Sequence, residues 1–390
     1  MSNPPEDGRT RIIEGLLNCD GGFIAAPECL GATFDTLVGG REVTFEAPGL
    51  VSETILNSDP PEQLLFIAEP RWRSFNAAEL DERRPWDYFD HRGRVHDKYN
   101  SWGTVTVSKI GADGTTTAES VLIRRFRYYA EVRGGPDDLQ IAVRGIGEEI
   151  MGWWSLLRAW LEITTTQDLS RTPLSIFDPH AVFFEKMWTA ASDGSVEIIP
   201  FDEGRFEVNY PYPARAVDNN LLRWCAEQAA NGQRPPLEWQ LIRDARRSLQ
   251  HNELRRSVID AGTAAELALT RLLDRSLHQL PESVVDALLS KYQMLGQKTQ
   301  LYRKFGGTLP SNFQQLLIEP RNRAAHTGAE PSHADAEQAL TAATEIVTQA
   351  SPLPRQRGAD EGYRRLPSHA DLNDHPGPAG PGGDLEPSAG

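Results

Sequence analysis

The 390-residue chain has little cysteine, no long apolar run and no surplus of positive charge. Its three cysteines, Cys19, Cys29 and Cys225, form no C-x-x-C pair. That excludes a zinc knuckle or a disulfide framework and predicts reduced thiols in the cytoplasm. No window approaches the roughly 20 apolar residues that a membrane-spanning helix needs. The start, Met1 to Arg11, is polar and lacks the apolar stretch of a secretory signal. The net charge of −15 is uneven: residues 1–236 carry 36 acidic and 23 basic side chains, whereas residues 237–350 carry 13 of each. A broad nucleic-acid-coating surface is thereby excluded from the first half, while a local basic site on the second remains open.

What is present divides the chain in two. Strand signals dominate residues 1–210. Arg41–Ala47 alternates, with Val43 and Phe45 on one face. Gly103–Ile110 and Thr116–Val132 flank the turn Ala112-Asp113-Gly114, and Ser195–Pro200 and Arg205–Tyr210 flank Asp202-Glu203-Gly204, so two hairpins are expected. One helix, Gly147–Thr164, interrupts them with an apolar stripe of Ile150, Trp153, Leu157, Trp160 and Leu161. An α+β domain follows, β-rich with at least one packed helix. Residues 211–236 read as a proline-bounded linker with a short helix, Val217–Ala230.

From Leu237 only helices are expected: Leu237–Gln250, Asn252–His278, Glu282–Lys291, Gln297–Phe305, Ser311–Thr327 and Ser332–Gln349. Ser332 with Asp335 makes a capping-box-like start, and Gly328 suits the residue just past a helix end. Residues 351–390 hold seven prolines and seven glycines, a composition that does not bury enough surface to order itself, so a disordered tail is expected.

The chemistry concentrates in Pro320-Arg321-Asn322-Arg323-Ala324-Ala325-His326-Thr327-Gly328. Arginine recurs five residues before histidine three times, at Arg246–His251, Arg321–His326 and Arg364–His369. Only the second has a small polar residue after the arginine and stands just before the last helix of the array. On a helix, Asn322 and His326 share a face, and the long Arg321 side chain must reach across to them. A histidine moves protons near neutral pH, and a fixed guanidinium holds phosphate oxygens. No metal or cofactor is required by this set.

This R-N-x3-H segment resembles the signature of HEPN-superfamily ribonucleases. The run Arg256 to Leu267, alanine-rich and ending in Glu266-Leu267, resembles their long early helix, and Leu295-Gly296-Gln297-Lys298 resembles the start of the short helix after it. The resemblance covers about residues 237–350. It implies an all-α helical bundle, a metal-independent RNA endonuclease with Arg321, Asn322 and His326 as its catalytic residues, and a homodimer in which two copies of the motif face each other. The order of a β-rich domain before a HEPN domain resembles abortive-infection, Apea-like proteins. It implies a sensing domain that restrains the nuclease until an unknown trigger arrives in anti-phage defence. The alternative is a non-catalytic HEPN module that dimerises or binds a ligand in a regulatory protein. Glu266 falls in the stripe Ile259, Gly262, Glu266, Leu269, Leu273, so an inward carboxylate paired with Arg321 is expected.

Other candidates are weaker. Asp87, Asp90, His91, His96 and Asp97 form a cluster, but the two histidines are five apart and do not share a helical face, which disfavours a metal site. Arg124-Arg125-Phe126-Arg127-Tyr128-Tyr129 mixes bases and aromatics as single-strand platforms do, although in a strand such aromatics more often fill a core. Gly145-Ile146-Gly147 reads as a turn, and Trp153, Trp154 and Trp160 as core.

Overall fold

Thr116–Arg133 (β7) is the strand around which the first half of the chain is built. A computed structural model describes it along with the remainder of residues 10–55, 62–68, 70, 102–111, 115–133, 136–169, 187–190, 196–199 and 215–353. The other strands are β1 (Thr10–Ala25), β2 (Thr33–Val38), β3 (Arg41–Glu46), β4 (Gly49–Ile55), β5 (Glu62–Ala68) and β6 (Gly103–Ile110). An antiparallel sheet runs β1-β7-β3-β2, with β6 also on β7. On one edge β7 meets β6 through Thr116–Ile123 and then β3 through Arg127–Ala130, while β1 follows the other edge. The expected β6–β7 hairpin is formed; its turn at 112–114 lies outside the described residues.

A register shift between Asn18 and Phe23 of β1 changes which side of β7 faces the core. Val121 and Ile123 point inward before it and Phe126 after it, all fully buried, as expected where a bulge re-aims a strand. Phe126 stacks on Phe23 with centroids 5.8 Å apart and meets Phe34 edge-on. Its neighbour Arg127 is 2% exposed, bonded to Glu46 and 3.8 Å from Glu14. The Arg124–Tyr129 run therefore supplies core and a buried ion pair rather than an exposed stacking platform.

Two small antiparallel ribbons accompany the sheet, β4 with β5 and β8 (Met187–Ala190) with β9 (Val196–Ile199). In the second, residues 196–199 pair with the segment before them; residues 205–210, the expected partner, lie outside the described residues. The cluster Asp87, Asp90, His91, His96 and Asp97 and the tail from residue 354 also lie outside them.

Helix α1 (Pro136–Thr165) begins well before the expected Gly147, so Gly145-Ile146-Gly147 is helical and not a turn. Each glycine costs a helix up to about 1 kcal/mol relative to alanine. Fully burying a large apolar side chain gains about 1.5–3 kcal/mol, and Ile146, Ile150, Trp153, Leu157, Trp160 and Leu161 are all buried along one stripe, which decides for the helix. Trp153 stacks on Phe45 at 4.4 Å and donates to the Ala226 carbonyl at 3.3 Å.

The stretch expected as a linker belongs to this core. Asp218 caps α2 (Asn219–Ala230) by accepting from the Leu221 N–H, and Leu221, Leu222, Cys225, Ala226 and Ala229 pack under the sheet. Val217 bridges to Ala25 in place of joining the helix. All three cysteines are buried here, and none forms a disulfide. Burial pushes the Cys225 thiol up to about 12, which makes it inert.

After Pro235-Pro236 the chain is helical: α3 (Leu237–Gln250), α4 (Leu254–Leu277), α5 (Glu282–Lys291), α6 (Leu295–Lys304), an irregular helix over 314–327 with α7 (Glu319–Asn322) inside it, and α8 (His333–Ala350). Leu254, Val258, Ala261, Ala265, Leu269 and Leu272 of α4 all lie in a second core, distinct from the first. The small residues of α4 let both α3 and α8 pack closely against it. The capping box of Ser332 and Asp335 is formed, and Gly328 ends the preceding helix at φ 68°. No helix among the described residues is long and apolar enough to cross a membrane.

The two cores meet at a polar joint. Glu162, near the end of α1 and 2% exposed, accepts from Arg247 at 3.0 Å, lies 3.3 Å from Arg243, and accepts the Leu169 N–H at 3.2 Å. Arg247 also reaches Asp168 at 3.1 Å, and His251 stands 3.9 Å from the same carboxylate. Burial outweighs these arginines and raises the Glu162 carboxyl above its ordinary range.

Candidate functional site

Pro320 shapes the helix that carries the motif. Proline offers no N–H and its ring presses on the carbonyl four residues back, so a regular α-helix does not pass through it undisturbed. The chain widens into a π-turn at Gln314–Ile318, where the Glu319 N–H bonds to the Gln314 carbonyl. It returns to α geometry over Glu319–Asn322 (α7) with Pro320 buried at its start, then widens again into a π-turn at Arg323–Thr327. Ideal α geometry sets positions i and i+5 about 140° apart around the axis. A π-turn holds more residues, so the second one brings His326 nearer the face of Arg321.

Arg321 is half-buried and lies against Gly262 of α4. A Cβ on Gly262 would sit 2.6 Å from Arg321 Cγ, so the bare backbone is what admits the arginine stem. One terminal nitrogen, Nη1, donates to Asn322 Oδ1 at 3.2 Å, which turns the guanidinium toward the polar face. Its Nε is buried and has no hydrogen-bond partner among the described residues. Asn322 and His326 are exposed, and the imidazole makes no hydrogen bond or ion pair among the described residues. The segment is fastened from outside by Arg255, whose Nε donates to the Ala324 carbonyl at 2.9 Å.

The expected pairing of Glu266 with Arg321 is not formed. Glu266 sits at the edge of the buried stripe of α4, its side chain 27% exposed, and accepts from Lys298 of α6 at 3.2 Å. Lys298 also donates to Thr270 Oγ1 at 3.0 Å. Glycine, not glutamate, receives Arg321. The stripe placed the two residues on one face, but Gly262 and Glu266 are one turn apart along it, and the motif helix crosses at the glycine.

The structure joins Arg321 to Asn322, leaves His326 exposed further along the same distorted helix, and pairs Glu266 with Lys298 instead. Sequence reasoning missed Gly262 and Arg255. Proline in mid-helix signals the distortion, and a glycine inside an alanine-rich helix signals a close approach; together they would have pointed to the contact. Among the described residues no three His, Cys, Asp or Glu side chains gather as a metal-holding group.

Comparison of the chain with protein-family models, with curated proteins and with solved structures gives no match. The HEPN resemblance therefore rests on the sequence motif and the order of helices alone.

Proposed function

We propose that the chain is a metal-independent RNA endonuclease of HEPN type, held in check by its β-rich N-terminal region and used in anti-phage defence in the cytoplasm. The observation that carries the reading is that Arg321, Asn322 and His326 lie on one distorted helix, the guanidinium held by Asn322 and the exposed imidazole making no hydrogen bond among the described residues. His326 takes the 2′-hydroxyl proton while the 2′-oxygen attacks the adjacent phosphorus. Arg321 stabilises the charge gained on the phosphate oxygens, with Asn322 holding its fork in place. The bond from phosphorus to the 5′-oxygen breaks, and that oxygen takes a proton. One copy supplies one imidazole, so the acid is His326 of a second copy in a homodimer. The joint at Glu162 supports restraint, because it fastens the end of α1 to α3 and so links the sheet to the helical unit.

The expected products carry 2′,3′-cyclic phosphate and 5′-hydroxyl ends. A substrate with one 2′-deoxynucleotide at the cut should resist cleavage there, as read by labelled-RNA gels. Cleavage that continues at the deoxy position would exclude the mechanism.

Gly262→Ala tests the positioning of Arg321. Alanine gains about 1 kcal/mol of helix propensity, which offsets part of the overpacking against the arginine stem, about 1–3 kcal/mol. The melting point should move little, while cleavage falls about tenfold or more through kcat, since small displacements at a reacting centre are costly. An unchanged kcat would show that Arg321 has no need of its seat.

A further inference from the structure

Beside the motif helix lies a shallow depression of about 450 Å³ lined by Glu253, Arg255, Arg256, Ile259 and Glu330. Its place follows from α4. Gly262 carries Arg321, Ile259 is one turn earlier, and Arg255 is two turns earlier, tied to the Ala324 carbonyl. At 1.5 Å per residue, the arginines of the depression stand about 10 Å along α4 from the seat of Arg321. The motif helix runs the opposite way, with Arg321 over Gly262 and Ala324 by Arg255. Its His326 end is therefore the end nearer the depression, and Glu330 closes the rim just past the helix-ending Gly328.

We propose that this depression is a nucleotide subsite that selects guanine. The inference rests on the ribonuclease reading for its place in the reaction, though the binding it describes stands apart from catalysis. Arg255 and Arg256 supply cations at one wall. Arg255 spends its Nε on the Ala324 carbonyl, which leaves its terminal nitrogens for an anion. Arg256 is 68% exposed and holds Glu253 at 3.4 Å and Asp260 at 3.7 Å only loosely, within its own helix. The half-buried Ile259 offers an apolar floor for a base. Glu330 is exposed and makes no hydrogen bond or ion pair among the described residues. A carboxylate accepts and does not donate. Guanine presents two adjacent N–H donors on its pairing edge, which match one carboxylate, and unstacked bases are read on that edge. Uracil and cytosine lack this pair of donors, and adenine offers only one such group. The phosphate then lies on the arginines, the base on Ile259 and the base edge on Glu330.

The test is titration of the full chain with each of the four 3′-nucleoside monophosphates, followed by calorimetry or by chemical-shift change. Dissociation constants on the order of millimolar suit a small ligand on an open site. We expect 3′-GMP to bind at least about tenfold tighter than 3′-UMP, a difference of about 1.4 kcal/mol. Glu330→Gln should abolish the preference, and Arg256→Gln should weaken all four nucleotides, with circular dichroism unchanged in both. Equal binding of the four nucleotides, no saturable binding, or a preference untouched by Glu330→Gln would overturn the proposal. His326→Ala separates the two readings: it should leave 3′-GMP binding intact while cleavage is lost. Wild-type protein that binds 3′-GMP selectively and cuts no RNA would sink the nuclease and keep the subsite.

Discussion

His326→Ala is expected to lower RNA cleavage by about a thousandfold, with the fold and melting point preserved. General acid–base catalysis by one positioned group contributes about 10²–10⁴ in rate. In a homodimer each active site loses both its base and its acid, which places the effect toward the upper part of that range. The imidazole is exposed and makes no hydrogen bond among the described residues, so its removal takes nothing from the core. Arg321→Ala should cost about 10²–10³, as the loss of one stabilising donor set does elsewhere, and should also disturb packing, because its stem fills the space over Gly262. Arg321→Lys discriminates the roles: lysine keeps the charge and most of the stem but loses the fork, and should recover stability before rate. Single-turnover cleavage beside thermal melting reads both quantities. A His326→Ala protein that cuts at the wild-type rate would remove the histidine from the mechanism.

Glu162→Ala carries the second large effect. Removing one partner of a buried ion pair leaves the other charge uncompensated and costs about 3–5 kcal/mol. Here Arg243 and Arg247 are 20% and 30% exposed and recover some hydration, so about 2–3 kcal/mol is expected. Glu162→Gln should cost less, because burial already favours the uncharged carboxyl and glutamine keeps its shape and an acceptor for the Leu169 N–H. The sign of the pH effect follows. A carboxyl whose folded pKa is raised above 4.5 binds its proton more tightly in the folded state. Its contribution is fully present below the unfolded value and is lost as pH rises through the folded one. Denaturant titration at several pH values should show the wild-type chain losing stability relative to Glu162→Gln as pH rises. If the helical unit is restrained through this joint, Glu162→Ala should also raise cleavage by the full chain. A stable Glu162→Ala protein with unaltered cleavage would separate the joint from both roles.

The helical half was legible in the sequence to within a few residues because its helices bury one continuous stripe each and end at marked caps. Ser332 with Asp335 and Gly328 are local signals whose geometry does not depend on the rest of the chain. The sheet half was less legible. The start of α1 was hidden by Gly145 and Gly147, whose helix cost is met by tryptophan burial that only the folded sheet supplies. Residues 217–230 read as a connector because their apolar face has meaning only against that sheet. In the site, the motif singled out Arg321, Asn322 and His326, while Gly262 and not Glu266 receives Arg321 because the crossing point of two helices is a tertiary fact.

The most direct test of the account is cleavage of labelled RNA in excess EDTA by the helical unit, residues 237–353, whose core cluster takes only Ile163 from outside that range among the described residues. Arg321→Ala and His326→Ala forms run beside it, with helicity and dimerisation checked first. The account predicts EDTA-resistant cuts with cyclic-phosphate ends that disappear in both variants. A folded, dimeric unit that leaves the RNA intact, or cuts it equally well without His326, would contradict it.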